Sequence, residues 1–181
     1  MKKVILSAVL LVSATLGMTA QDSGFEKGVN DVYEKSKTGS FLVEAGIGFP
    51  MGDAADAFNF NFGANVAYLF NLMDNLDVGF LSGLQYYTGE ESNGFKVDDQ
   101  GFLLLSATGR YYFADKKIFG ALDTGFAINV INGDYKADGG LYWRPKVGYN
   151  LNETVGFVAS FATIHSDDNI NTLNLGVEFN F

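Results

Sequence analysis

Candidate chemistry in this chain starts with His165-Ser166-Asp167-Asp168, where the single histidine stands beside a serine and two acids. These residue types build serine hydrolases, in which histidine is the general base and an acid orients it. His165 and Ser166 are adjacent, however, and neighbouring residues of a strand point to opposite faces. We therefore interpret the cluster as a polar loop, and an acyl-chain hydrolase stays open as an alternative.

Pairs of acidic residues are a second group with possible chemistry. Glu90-Glu91, Asp98-Asp99 and Asp167-Asp168 carry carboxylate oxygens of the kind that bind Ca²⁺ or Mg²⁺. A solvated loop surface explains the same pairs without a metal ion. We predict no catalytic residue, no cofactor and no resident metal.

Composition excludes several classes of function. The absence of Cys excludes disulfides, thiolate metal sites and cysteine nucleophiles, and a single His argues against a histidine-based zinc or iron site. With 21 acidic and 12 basic residues, the chain lacks the basic surface that nucleic-acid binding needs. The 22 Gly and 17 Phe beside only 2 Pro are typical of a sheet protein rich in turns.

The first twenty residues predict a cleaved secretory signal peptide. Two lysines precede an apolar stretch from 4 to 16, and Ala20-Gln21 is the expected cleavage site. The stretch is shorter than the ~20 residues that a membrane-spanning helix needs. An exported chain without Cys fits a bacterial envelope. Residues 21–39 are rich in Asp, Glu, Lys, Ser and Gly, and we interpret them as a polar periplasmic tail, with a docking segment for a partner as the alternative.

From Ser40 onward, apolar residues alternate with small or polar ones, which is the pattern of strands with two unlike faces. Between Phe58 and Phe70, one face is apolar throughout and the other is mostly Asn and Gly. Pro145 interrupts one stretch and predicts a local bulge, because Pro removes a ladder hydrogen bond. The eight alternating stretches cover residues 41–49, 58–70, 76–87, 103–113, 118–130, 141–151, 155–164 and 173–181.

The links between these stretches alternate in length. Short links are followed by longer ones that carry turn residues, at 50–57, 88–100, 131–138 and 165–171. Eight antiparallel strands with short turns at one end and long loops at the other are typical of an outer-membrane barrel. The predicted fold class is therefore all-β, an eight-stranded antiparallel up-and-down transmembrane β-barrel over residues 40–181.

The polar face is predicted to line the lumen of this barrel. It consists mainly of small residues, whereas a water-facing surface would hold more Lys and Glu. An eight-stranded barrel has a lumen just wide enough for side chains to fill it, and unpaired charges there are costly. Arg110 and Arg144 are interpreted as structural plugs rather than channel-selectivity residues. The predicted lumen charge network consists of Glu44, Asp77, Arg110, Asp123, Arg144, Lys146 and Glu178.

Aromatic residues of the apolar face concentrate near the strand ends, as expected where a barrel meets the two membrane interfaces. One predicted girdle, at the short-turn end, holds Phe70, Phe113, Tyr149 and Phe181. The other, toward the long loops, holds Phe49, Phe58, Tyr86 and Trp143. In hydrocarbon every backbone polar group must be paired, and only a closed sheet does this with strands.

The closing alternation from Leu173 to Phe181 and the eight-strand layout resemble the small outer-membrane barrels of the OmpX, OmpA-barrel and opacity-protein group. The chain is similar to the Bacteroidota-type versions, in which a leader ending in Ala-Gln is frequent. The resemblance implies the cell outer membrane, contact with its lipid, and recognition of Phe179 and Phe181 by the barrel-assembly machinery. Phe181 could also serve simply as a girdle residue.

The resemblance and the pattern together predict an integral outer-membrane protein that is not an enzyme. Its expected role is structural or surface-interacting, through the long loops. A narrow porin-like channel is the first alternative, although open aqueous pores belong to barrels with more strands. A soluble barrel that carries apolar ligands is the second.

Overall fold

A computed structural model of the protein describes residues 39–92, 95–131, 139–166 and 169–181, with the backbone alone for 91, 92, 95 and 96. The expected signal peptide and nearly all of the expected tail lie outside these described residues. The same holds for residues 132–138 of the third long loop and for Asp167-Asp168.

The described residues form a closed barrel of eight antiparallel strands, which confirms the predicted fold class. Each strand pairs with its neighbours along the chain, and the first strand also pairs with the last, so the sheet has no open edge. The barrel strands are β1 (Gly39–Met51), β2 (Phe58–Met73), β3 (Leu76–Gly89), β6 (Gln100–Phe113), β7 (Ile118–Ile131), β8 (Gly140–Asn150), β9 (Val155–His165) and β10 (Ile170–Asn180).

Two further elements belong to the long loops. The helical turn α1 (Ala54–Ala57) lies between β1 and β2, and β4 (Glu91–Ser92) pairs with β5 (Phe95–Lys96) in a small separate ladder after β3. No helix in the part of the chain that the structure describes is long and apolar enough to cross a membrane.

The strand register keeps apolar residues together on the outer face. Ile47 lies opposite Leu175 of β10 and opposite Phe62 of β2. Since alternate residues of a strand share a face, this register places most of the apolar residues outside and most of their small or polar neighbours inside. The outer face is consequently apolar around the barrel.

A β-bulge changes the position of Phe58. Phe58 pairs with Gly89 and Phe60 with Thr88, so Asn59 is an extra residue on β2. The bulge turns Phe58 into the lumen, where it is 5% exposed, while Phe60 faces outward at 44%. The prediction that Phe58 belongs to the long-loop girdle is therefore wrong.

The bulge predicted at Pro145 is also wrong. Trp143 pairs with Thr163 and Lys146 with Ser160, so the same number of residues separates the pairs on β8 and β9. On the other side, Pro145 keeps a regular partner in β7, Leu122. The strand therefore accommodates the proline without an inserted residue.

Candidate functional site in the barrel lumen

Six of the seven charged residues predicted for the lumen meet inside the barrel. They come from five different strands, and their side chains are at most 5% exposed. Three positive and three negative charges make the group neutral, as burial requires. We call this group the charged cluster, and it consists of Glu44, Arg110, Asp123, Arg144, Lys146 and Glu178.

Arg144 links two of the acids. Its Nη1 and Nη2 donate to the two carboxylate oxygens of Glu44 at 2.5 and 3.1 Å. Its Nε and Nη2 also donate to Asp123 Oδ2, at 2.9 and 2.7 Å. The planar guanidinium group suits such paired bonds, and here it ties β1 to β7 and β8.

Lys146 and Arg110 connect the third acid. Lys146 Nζ lies 3.2 Å from Asp123 Oδ2, 3.4 Å from Glu44 Oε2 and 3.9 Å from Glu178 Oε1. Arg110 Nη2 donates to Glu178 Oε1 at 2.7 Å, and its guanidinium carbon lies 3.9 Å from the centre of the Phe119 ring. The cluster is thus continuous across the lumen.

Asp77 stands apart from the charged cluster. Its Oδ1 accepts a hydrogen bond from Asn71 Nδ2 at 3.0 Å, near the short-turn end of the barrel. Among the described residues no ion pair joins it to the six, although Arg110 is its partner in the strand register. The grouping of Asp77 with the other six therefore differs from what the structure shows.

Apolar side chains fill the lumen on the long-loop side of the charged cluster. Phe58 packs on Tyr87 at 5.4 Å between ring centres, and Tyr87 packs on Phe102 at 5.7 Å. The helical turn α1 covers this layer with Ala54. The buried layer as a whole contains Ala54, Phe58, Tyr87, Phe102, Leu104, Ala127, Tyr142, Ala162, Ile164 and Ile170.

A second apolar group, Leu42, Ala67, Leu69 and Leu81, fills the lumen on strands β1 to β3. Phe119, which stacks on Arg110, is completely buried as well. Composition of the inward face indicated this, since its positions include three leucines. Alternation describes the average of a face and not its layers, so the sequence pattern alone predicts a largely polar lumen.

Amide side chains complete the polar layer. The sequence pattern places them on the inward face but does not predict their hydrogen-bond partners. Asn65 Nδ2 donates to Glu44 Oε1 at 3.0 Å, and Asn61 Nδ2 donates to Gln85 Oε1 at 2.9 Å. Glycine provides the room, because a Cβ atom on Gly83 would lie 1.9 Å from Asn65 Oδ1. Inward Asn and Gly at neighbouring positions were the available signal.

Little free volume remains around the cluster. The cavity beside Glu44 and Arg144 measures about 10 Å³, which is at most the space of one water molecule. A larger open recess of about 420 Å³ lies at the short-turn end, between Asp77 and the turn at Lys116. The arrangement binds strands together and offers no space for a substrate in the centre.

Seven of the eight predicted girdle residues lie on the outer face, and Phe58 is the exception. Phe113, Tyr149 and Phe181 are strongly exposed near the short turns, as Phe49 is toward the long loops. Phe70, Tyr86 and Trp143 are partly covered by neighbours. Their function as a membrane girdle stays a prediction.

Phe179 and Phe181 end the last strand on the outer face. Phe181 N donates to Phe41 O at 2.8 Å, and Phe41 N donates to Phe181 O at 3.1 Å. Phe41 and Phe181 thereby extend the pairing of β1 with β10 by one step. Recognition of Phe179 and Phe181 by the assembly machinery stays a prediction.

His165 is held by groups other than Ser166. Trp143 Nε1 donates to His165 Nε2 at 3.0 Å, and His165 Nδ1 lies 3.0 Å from Asn169 Oδ1. Both ring nitrogens are therefore occupied outside the lumen. The hydrolase alternative lacks a base aimed at a serine among the described residues.

The acidic pairs form no metal site within the described ranges, where no group of three or more suitable ligands occurs. Asp99 instead accepts hydrogen bonds from Tyr86 Oη at 2.6 Å and from Gly89 N at 2.9 Å. It therefore fixes the base of the second long loop.

Comparison with known proteins identifies the fold. No protein-family model matches the sequence, and no curated protein matches it. Among solved structures, the outer-membrane protein Ail of Yersinia pestis in a phospholipid bilayer nanodisc matches with a TM-score of 0.56 and 16% identity, over 80% of this chain and 100% of that one. Neisserial surface protein A matches with a TM-score of 0.51 and 14% identity, over 79% and 97%.

A de novo designed transmembrane β-barrel also matches, with a TM-score of 0.50 and 9% identity, over 78% of this chain and 95% of the other. At such identities the similarity concerns the fold, and the Bacteroidota-type resemblance stays a prediction. Together with strand order and register, these matches show that the chain has the fold of the small eight-stranded outer-membrane β-barrels.

Proposed function

We propose that the protein is an integral barrel of the bacterial outer membrane, exported by a cleaved signal peptide over residues 1–20. The observation that carries this proposal is the apolar outer surface of a barrel whose charges lie inside. Phe80, Phe126 and Val147 are 66%, 63% and 62% exposed, and they belong to an apolar surface on all eight strands. A monomer in water rarely exposes so much apolar surface, whereas lipid covers it.

The same distribution argues against a soluble carrier. A carrier of apolar ligands needs an apolar cavity inside and a polar surface outside. Here the lumen is filled by the charged cluster and by two apolar layers, and the exposed large hydrophobic side chains are mainly Phe, Leu, Ile and Val. Lipid is consequently the partner that fits the apolar outer surface.

We further propose a non-enzymatic role in which the barrel is a rigid support for its long loops. The filled lumen supports this role over a channel. A channel needs a continuous aqueous path through the lumen, whereas a support for loops does not. The charged cluster contributes by joining five strands. A structural or surface-interaction function at the long-loop end follows.

Site-directed spin labelling tests the orientation of the barrel. The chain has no Cys, so single cysteines at Phe80 and Leu81 can be labelled without background. Both residues are apolar and adjacent, but Phe80 is 66% exposed and Leu81 is 3% exposed. We expect a label at position 80 to collide with oxygen dissolved in the bilayer and a label at 81 to be protected.

The reverse accessibility would refute the membrane proposal, and so would a mature protein that stays in the aqueous fraction without detergent. Export is tested separately by sequencing the N-terminus of the protein from the cell envelope. Gln21 as the first residue supports cleavage after Ala20. A protein that still begins with Met1 would overturn the proposed cleavage but not the membrane proposal.

A further inference from the structure

The single tryptophan and the single histidine of this chain are hydrogen-bonded to each other on the outer face. Trp143 stands on β8 and His165 ends β9 at the long-loop side of the barrel. Their donor and acceptor nitrogens are 3.0 Å apart. Because the chain has one tryptophan and one histidine, spectroscopic signals from either residue type report on this contact.

This geometry fixes the protonation of the histidine ring. An indole N–H can only donate, so His165 Nε2 must accept and therefore carries no proton. The neutral ring then carries its proton on Nδ1, which donates to Asn169 Oδ1 at 3.0 Å. The ring links β8 to the turn between β9 and β10.

We propose that protonation of His165 switches off its bond to Trp143 and releases the indole N–H at the long-loop end of the barrel. An imidazolium ring has two N–H donors and no acceptor, so Nε2 can no longer accept from Trp143. Nδ1 remains a donor and keeps its bond to Asn169. Protonation of the ring therefore breaks the side-chain bond between β8 and β9 but leaves the bond from His165 to Asn169 at the base of the fourth long loop.

Among the described residues, the ring takes part in hydrogen bonds with Trp143 and Asn169 and in no ion pair. On β8, the neighbouring Arg144 and Lys146 point into the lumen and bind acids there. Asp53 and Asp56 of the first long loop form no ion pair or hydrogen bond with the ring among the described residues. Asp167 and Asp168 follow in the sequence but lie outside the described residues.

The released indole N–H would act at the membrane surface, a consequence that rests on the proposed function. Tryptophan at an interface places its ring in the apolar layer and its N–H near polar groups. While the His165 ring is neutral, it occupies that donor. When the ring is protonated, the donor becomes available to lipid headgroup oxygens or to water.

NMR of the folded wild-type protein in detergent micelles tests the switch without any substitution. The spectrum contains one indole N–H signal and one histidine ring. We expect both signals to shift together, in one single-proton transition, as the pH is lowered. The two transitions must share one midpoint, and an indole signal that stays fixed while the histidine titrates overturns the proposal.

The variant His165→Gln provides the matched control. Its amide oxygen can accept from the indole but does not titrate. We expect the pH transition of Trp143 fluorescence and of its N–H signal to be lost in this variant. An unchanged transition in His165→Gln overturns the proposal, because another group would then cause it.

Lipid dependence separates the switch from the proposed function. Should the switch occur in micelles while the spin labels at positions 80 and 81 show a water-facing Phe80, the membrane proposal fails and the switch stands. Should the labels confirm lipid contact while Trp143 shows no transition, the switch alone fails.

Discussion

Among single residues, Arg144 holds the most connected position in the lumen. It contacts Glu44 and Asp123 with four hydrogen bonds, and both acids are nearly inaccessible to solvent. Burial of such pairs adds little net stability, because desolvation offsets the attraction of the charges. Their removal one at a time is costly, since a buried charge is then left without a partner.

We predict that Arg144→Met lowers the free energy of unfolding by about 3–5 kcal/mol, the usual cost of breaking a buried ion pair. Urea titration in lipid vesicles, followed by the mobility of unheated protein on gels, measures this change. Lys116→Met at the exposed 114–117 turn is the control and is expected to have little effect. Equal stability of Arg144→Met and the wild type would show that the cluster does not hold the strands.

Sequence alternation predicted which charged residues point inward, but it could not predict which of them pair. Glu44 and Arg144 are 100 positions apart in the chain and meet only because the barrel closes. Phe58 was assigned to the wrong face for a related reason. The face on which Phe58 lies depends on the bulge opposite Gly89. An alternating sequence pattern does not reveal such an inserted residue.

At the level of the strands, some glycines provide room for the backbone of a neighbouring strand, and others do not. Gly79 of β3 faces inward, and a Cβ atom there would lie 1.9 Å from Tyr68 O. Gly109 of β6 faces outward and has nothing within 4 Å of such an atom. The two positions are neighbours across the strand pair, since Val78 lies opposite Gly109.

We predict opposite effects for alanine at these two glycines. Gly79→Ala should destabilise the barrel by about 1–3 kcal/mol, because the backbone of β2 must move. Gly109→Ala should be neutral or stabilising by up to about 1 kcal/mol, because it restricts the unfolded chain. The same urea titration measures both variants, and a larger loss for Gly109→Ala would contradict the register.

The bulged strand gives a second matched pair. We predict that Phe58→Ala destabilises the barrel by about 3–5 kcal/mol, because it opens a cavity in the apolar layer beneath α1. Phe60→Ala, two residues away on the outer face, removes the same atoms where lipid can replace them, so its effect should be smaller. Equal losses would place both rings in one environment and contradict the bulge.

The positions of the strands and of the long loops were predicted well, whereas the strand ends at the long-loop side were not. Alternation persists through the strands because one face is apolar throughout. The strands nevertheless extend beyond the predicted limits at the long-loop end, where β6 begins at Gln100 rather than at residue 103. There Tyr87 lies opposite Gln100 in the ladder, a pairing that local sequence does not show.

For the whole molecule, the filled lumen bears on permeation. The apolar layer under α1 and the charged cluster lie one above the other, and the cavity within the cluster holds at most one water molecule. We predict that the purified protein in planar bilayers shows no reproducible conductance steps. Regular steps at low voltage would revive the channel alternative, and Arg144→Met is then the variant whose conductance should rise.

The hydrogen bonds between Phe41 and Phe181 have a consequence for biogenesis. The two partners of this seam are among the first and the last residues of the barrel to be synthesised. Pairing of such distant segments is slow, because a long stretch of chain must be ordered before the contact forms. Until β10 has been synthesised, β1 has one edge without a partner strand, and such an unpaired edge is prone to aggregation.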